Sequence, residues 1–413
     1  MDAHRPLRAP RPSTAARSTA LLVAVLALTA CSASTPASDS PAESRTGSDA
    51  HGIDGGGAAE VAAPARALVI AGHDGSATLL DLETRERTTL AEARDDLVSI
   101  QSDGRLLYLA HGAGDRTSVE VIDTARWTMP HGDHSHSFRG EPRALGALDG
   151  DGLPRITAGE QRGALRFDGE LLLLGHDALG DGLDAAPRVG IEAAGPVIPF
   201  AGHLLVPSGG TEIQVADEGG VPIPGSGIPC TDPSDADITR VGAVFSCAEG
   251  AVLFVREVGG AAAGESIPYP EGAVPTAQLH GRTDRPDLAG VAADGAWLLD
   301  VRQRTWTLLA SDVPLVRATA VGDDDSRTIA IDVDGRIRIF GADGALLART
   351  EPLVATSLRD AASRDRVQLI VDGQFAYVSD PTAGVVHELD HLDDLRVSRT
   401  FNDLDPWFVQ LVG

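Results

Sequence analysis

The sequence predicts an all-β chain folded as a single β-propeller of seven or eight four-stranded blades. Three observations predict it. From residue 66 onward, short apolar runs alternate with turns, and no comparably long stretch of helical period competes with them. Ten Asp-Gly pairs punctuate the same region, a dipeptide suited to the positive φ values of tight type I′ hairpins. One strand-and-turn pattern returns eight times, at separations of 39 to 49 residues. A four-stranded blade needs about 40–50 residues, so each return reads as one blade.

The runs fall at 68–71, 78–82, 106–110, 119–122, 252–255, 297–301, 329–333 and 367–371. The recurring units start at Ala77 (ATLLDLET), Ser118 (SVEVIDTA), Ala164 (ALRFDGE), Thr211 (TEIQVADEG), Gly250 (GAVLFVREV), Gly295 (GAWLLDVRQ), Gly335 (GRIRIFGAD) and Gly384 (GVVHELDHL). Eight units suggest eight blades, and seven if the first and last share a blade where the ring closes. Two stacked β-sandwiches are the alternative, although sandwiches need keep no period. Asp332-Val333-Asp334-Gly335 and the 323–325 aspartates lack the alternating ligands and distal glutamate of a calcium loop, and read as a hairpin turn and a solvated loop.

Composition narrows the function. Aromatic residues are only 4% of the chain, so Val, Leu, Ile and Ala must fill the core. The net charge of −26 opposes binding to nucleic acid, which needs a basic footprint that displaces counterions. All 34 basic residues are arginines, which excludes Schiff-base lysines and Walker-type phosphate loops.

Domain organisation follows from the N-terminus. Arg5, Arg8, Arg11 and Arg17 precede an apolar run over 20–30 that ends in Leu28-Thr29-Ala30-Cys31. The run is shorter than the ~20 residues of a membrane span and reads as a secretory signal over 1–30. LTAC resembles the lipobox of bacterial lipoproteins, which implies lipidation of Cys31 and anchoring to the extracytoplasmic face of the cell membrane. A plain secretory signal beside an incidental cysteine is the other reading. Residues 31–65 are Ser, Ala, Thr, Pro, Gly and Asp with few large apolar side chains, the composition of a disordered tether, and the propeller occupies 66–413. Cys230 and Cys247 remain. In an oxidising compartment a pair 17 residues apart reads as a disulfide, whereas thiol chemistry lacks a CxxC partner or an adjacent histidine.

The candidate site is Pro130-His131-Gly132-Asp133-His134-Ser135-His136, which places three of the chain's 12 histidines within six positions. In extended backbone His134 and His136 share a face, and Gly132 lets the chain turn His131 toward the same centre. With Asp133 they form a nitrogen and oxygen donor set that suits tetrahedral zinc. The same residues also suit a solvated polar loop titrating near pH 6.5, roughly the ordinary value for imidazole. His111 or His387 is positioned to complete the site if the ring brings their loops together. No GxSxG elbow or Ser, His and Asp grouping is present, so a binding protein and not an enzyme is expected.

PHGDHSH after a VEVID strand, the cysteine pair reaching into FSCAEGAVLF and the late segment FAYVSDPTAGVVHELD together resemble the AztD-type zinc metallochaperones and related secreted propeller lipoproteins. The resemblance implies a propeller that binds zinc outside the cytoplasm and hands it to the solute-binding protein of a zinc ABC transporter. It puts the ligand role on His134 and His136, with His131 and Asp133 as helpers. Where further histidine ligands are expected, in RITAGEQRGALRF and APRVGIEAAG, this chain carries Gln161, Arg162 and Arg188. The rival reading is a metal-independent propeller interaction module at the cell surface.

Overall fold

The computed structural model describes residues 57–112, 115–131, 134–159, 162–176 and 182–413. The expected signal segment, Cys31 and most of the expected tether lie outside the described residues. Within them the chain forms eight antiparallel blades. Blade 1 holds Ala67–Ala71, Ala77–Asp81 and Arg87–Ala91, and blade 2 holds Leu97–Ser102, Leu106–His111, Arg116–Asp123 and Arg143–Asp151. Blades 3, 4 and 5 start at Arg155, Ile198 and Asp235, and each carries four strands. Blade 6 has three full strands from Asp287 to Ala310, and His280 bridges to Ala289 in place of a fourth. Blades 7 and 8 start at Leu315 and Leu369.

Each of the eight recurring units lies in a different blade, so the count is eight and not seven. The first and last units do not share a blade because a separate strand closes the ring. Phe408–Val412 pairs antiparallel with Ala67–Ala71, from Ala67 opposite Val412 to Ala71 opposite Phe408, and becomes the inner strand of blade 1. The Gln368 side chain, one residue ahead of blade 8, grips this strand, accepting from the Val409 N–H at 2.6 Å and donating to the Val409 carbonyl at 3.0 Å.

The core lies between blades. Eight clusters of buried, mostly aliphatic side chains fill the eight interfaces between consecutive blades, including Leu68, Ile70 and Leu80 of blade 1 against Tyr377 and Val386 of blade 8. Strands in the middle of a blade are therefore buried on both faces, as in Leu106–His111, where all six residues are buried. Outer strands such as Leu346–Arg349 and Arg87–Ala91 are largely exposed.

The turns differ from expectation. A type I′ turn needs positive φ at both central residues. Here Gly75, Gly104, Gly335 and Gly344 adopt it, but the aspartates before them do not. Three of these aspartates instead accept backbone N–H bonds from residues two or three positions on, Asp74 from Ser76, Asp103 from Arg105 and Leu106, and Asp343 from Ala345, and Asp372 accepts in the same way from Gln374 and Phe375. Asp332 accepts from the N–H groups of Asp334 and Arg336, two and four positions on, and also pairs with Arg338 at 2.7 Å, so it is a structural turn. Gly335 is required there: at φ +82, an added Cβ would sit 2.3 Å from the Ala355 nitrogen.

Cys230 and Cys247 form the expected disulfide, with Cα atoms 5.2 Å apart. It joins the chain just after the outer strand of blade 4, Ile228–Pro229, to Ala243–Cys247 of blade 5. Among the described residues no helix is long and apolar enough to cross a membrane.

Candidate functional site

A hairpin interrupts blade 2 between its third and fourth strands. Arg126–His131 pairs with His134–Arg139, and residues 132 and 133 connect them. The register sets His131 opposite His134, Met129 opposite His136 and Trp127 opposite Phe138. A third strand, Ala59–Val61, pairs along the outer edge of His134–Arg139. These three residues fall inside the 31–65 segment, so the ordered body begins ahead of residue 66.

Side-chain alternation fixes the hairpin to the ring. Arg126 and Arg139, opposite each other in the register, both reach Asp81 of blade 1, at 3.1 and 2.6 Å. Burial works against the Asp81 charge. The Thr84 N–H, Arg126 and Arg139 outweigh it and hold the carboxyl below its usual range. On the adjacent residues Trp127 stacks on Phe138 at 5.0 Å, and the Arg105 guanidinium lies 3.7 Å over the Trp127 ring. The hairpin is thus clamped at its base by charge and by stacking.

His136 sits above that stack and is 6% exposed. Its Nδ1 lies 2.7 Å from Glu60 Oε1, a partner from the added strand. Of the predicted ligands, His131 and His134 are brought together by backbone register, and His136 is two residues further along the same strand. Asp133 lies outside the described residues, as do Gly132 and Gln161. His111 and His387 do not join them. His111 is buried against Asp96, with 3.2 Å between Nδ1 and Oδ1, and His387 is held by the Thr400 hydroxyl at 3.2 Å. Burial pushes both imidazoles below their ordinary pKa. Among the described residues no three His, Cys, Asp or Glu side chains gather in a group that holds a metal.

The ring encloses a central channel of about 2860 Å³. Trp127, Met129 and Ser135 of the hairpin contribute to its lining, so the histidine motif stands near its wall. Three lining groups escaped the sequence reading. Asp235 and Asp237, alternate residues of the inner strand Asp235–Ile238, both face the lumen, with His280 of blade 6 among the residues lining it. Burial and the neighbouring Asp235 raise the Asp237 carboxyl to about 7. Burial also raises Asp235 and lowers His280, with each partly offset by the charge of the other. The alternation in DADI was the available signal, but nothing in the sequence marks that strand as innermost. On the far side His176 Nε2 lies 3.0 Å from Asp103, which also accepts from the Tyr108 hydroxyl at 2.9 Å.

No protein-family model and no curated protein matches this sequence. Among solved structures, the chain is similar to AztD from Citrobacter koseri, with a TM-score of 0.70 at 19% identity over 85% of this chain and 98% of that one. Apo AztD from the same organism gives 0.69 at 19% identity over the same shares. The dihydro-heme d1 dehydrogenase NirN in complex with DHE gives 0.50 at 16% identity, over 85% of this chain and 76% of that one. At these identities the likeness is one of fold.

Proposed function

We propose that this chain is a zinc-binding propeller lipoprotein, held through Cys31 at the extracytoplasmic face of the membrane, which delivers zinc to the solute-binding protein of an ABC-type importer. It acts as a carrier and not as a catalyst. The metal is cargo, held at the tip of the blade 2 hairpin by His131, His134 and His136, with Asp133 as the oxygen donor. Support comes from the AztD-like fold and from the likeness of the sequence to the zinc metallochaperones.

The single observation that carries the reading is the hairpin register. It sets His131 directly across from His134, with His136 next but one along the strand. Directly opposed residues have Cβ atoms about 4.5–5.5 Å apart, a spacing that two imidazoles span with one ion between them. Glu60 adds to it. A carboxylate on one ring nitrogen fixes the tautomer and orientation of a metal-binding histidine, so His136 coordinates through Nε2 while Glu60 holds Nδ1.

Zinc titration of residues 32–413, followed calorimetrically, tests the proposal against a His134→Ala, His136→Ala double variant. The wild-type protein is expected to bind one equivalent that the variant loses. Equal binding by the two proteins removes the hairpin from the site and leaves a metal-independent interaction module.

A further inference from the structure

The channel differs in charge from the molecule around it. The chain carries a net charge of −26, yet nine arginines and only six aspartates line the channel, and no glutamate does. The balance leans further toward positive because Asp235 and Asp237 hold their protons to higher pH than ordinary carboxyls.

The arginines are not all engaged alike. Arg66 is paired with Asp372 at 2.6 Å, Arg105 with Asp123 at 2.9 Å, and Arg162 with Glu218. Arg282 spends one nitrogen on the Asp372 backbone carbonyl at 3.3 Å and makes no ion pair among the described residues. Arg285 makes neither an ion pair nor a side-chain hydrogen bond among them. Both belong to one tight turn, closed by the Arg285 N–H on the Arg282 carbonyl at 3.1 Å, with Asp284 in the left-handed region at φ +58.

Packing anchors the base of the Arg285 side chain, and a hydrogen bond anchors Arg282. The Arg285 stem lies against Gly322, where an added Cβ would come within 2.3 Å of the Arg285 Cβ. Arg282 Nη1 and Arg66 Nη1 both contact Asp372, so their guanidiniums are neighbours. Burial, then the charges of Arg285 and Arg66, pull the Arg282 pKa below its usual value, although the nearby Asp372 and Asp323 carboxylates partly offset them. Guanidiniums crowded this way in a partly desolvated wall gain most from an added negative charge.

We propose that this turn is a binding site for a small oxyanion, a phosphate or a carboxylate, gripped by Arg282 and Arg285 at the channel wall. Guanidinium donors fixed on a turn match the oxygen spacing of such a group. The surrounding negative charge selects for size. A polyanion meets the repulsion of the whole surface, whereas a small ion inside the channel is within the roughly 8–10 Å over which the local arginines dominate in physiological salt.

Calorimetric titration of the full-length protein with inorganic phosphate, and separately with succinate, in metal-free buffer at constant ionic strength tests this independently of zinc. Saturable binding of about one equivalent of either ion is expected. Arg285→Gln should weaken it about tenfold, the loss of one charge-assisted hydrogen-bonding group, and Arg285→Lys should fall between. Arg116→Gln, on an exposed residue away from the channel lining, should leave it unchanged. Saturation by one ion alone supports the site and identifies its oxyanion. Absence of saturable binding by both ions, or unchanged binding by Arg285→Gln and by Arg282→Gln with native circular dichroism, overturns the proposal.

Discussion

The contact between His136 and Glu60 spans 76 residues, which is why the sequence shows one partner and hides the other. Three clustered histidines are conspicuous in PHGDHSH, whereas a lone glutamate in a low-complexity segment is not. If Glu60 orients His136, Glu60→Gln should weaken zinc binding by about 10- to 100-fold, the usual cost of losing an outer carboxylate, with the fold retained. Competition against a chromophoric chelator reads this directly. Asp237 makes a separate prediction. Its folded pKa of about 7 exceeds the ordinary 3.8, so the folded protein keeps this proton longer than the unfolded chain. The associated stability is complete below the unfolded pKa and is lost as pH rises through about 7. Asp237→Asn removes that loss: its melting temperature should exceed the wild-type value at pH 8 and match it near pH 4. A variant gain at pH 4 that vanishes at pH 8 would reverse the sign.

At the scale of elements, the strands and the disulfide were legible because they rest on local pattern. Alternation and the eightfold recurrence placed one unit in every blade, and the two cysteines had no other partner. Turn geometry was less legible. Asp-Gly was read as backbone conformation, but at Asp74, Asp103, Asp343 and Asp372 the aspartate works through its carboxylate, accepting N–H groups. Part of the acidic composition thus serves the turns. The disulfide joins neighbouring blades, and a 17-residue loop is worth roughly 3 kcal/mol in the chain-entropy account. Cys230→Ser, Cys247→Ser should therefore lose unfolding free energy near that value, read as a lower urea midpoint, while zinc affinity stays the same because blades 4 and 5 are remote in sequence from the hairpin. An unchanged urea midpoint would show that the flanking strands alone fix this junction.

For the whole molecule, ring closure and the charge of the channel were the least legible features, since both depend on which strands become innermost. No local signal says that Phe408–Val412 belongs beside Ala67–Ala71, or that arginines from separate stretches of chain meet around one lumen. Closure has a mechanical consequence: deleting residues 408–413 strips blade 1 of its inner strand and exposes the apolar interface to blade 8. The truncated protein should melt well below the full chain and over a broader range in differential scanning calorimetry. An equally sharp, unshifted transition would mean the strand is dispensable. The zinc-carrier proposal requires the clamped hairpin to bring its imidazoles onto one zinc ion. Anomalous diffraction at the zinc edge, from crystals of the protein with one equivalent of zinc, locates the ion. A single strong peak is expected about 2.0–2.1 Å from His136 Nε2, bounded by His131 and His134; a peak confined to the channel carboxylates, or none at the hairpin, rules the hairpin out as the zinc site.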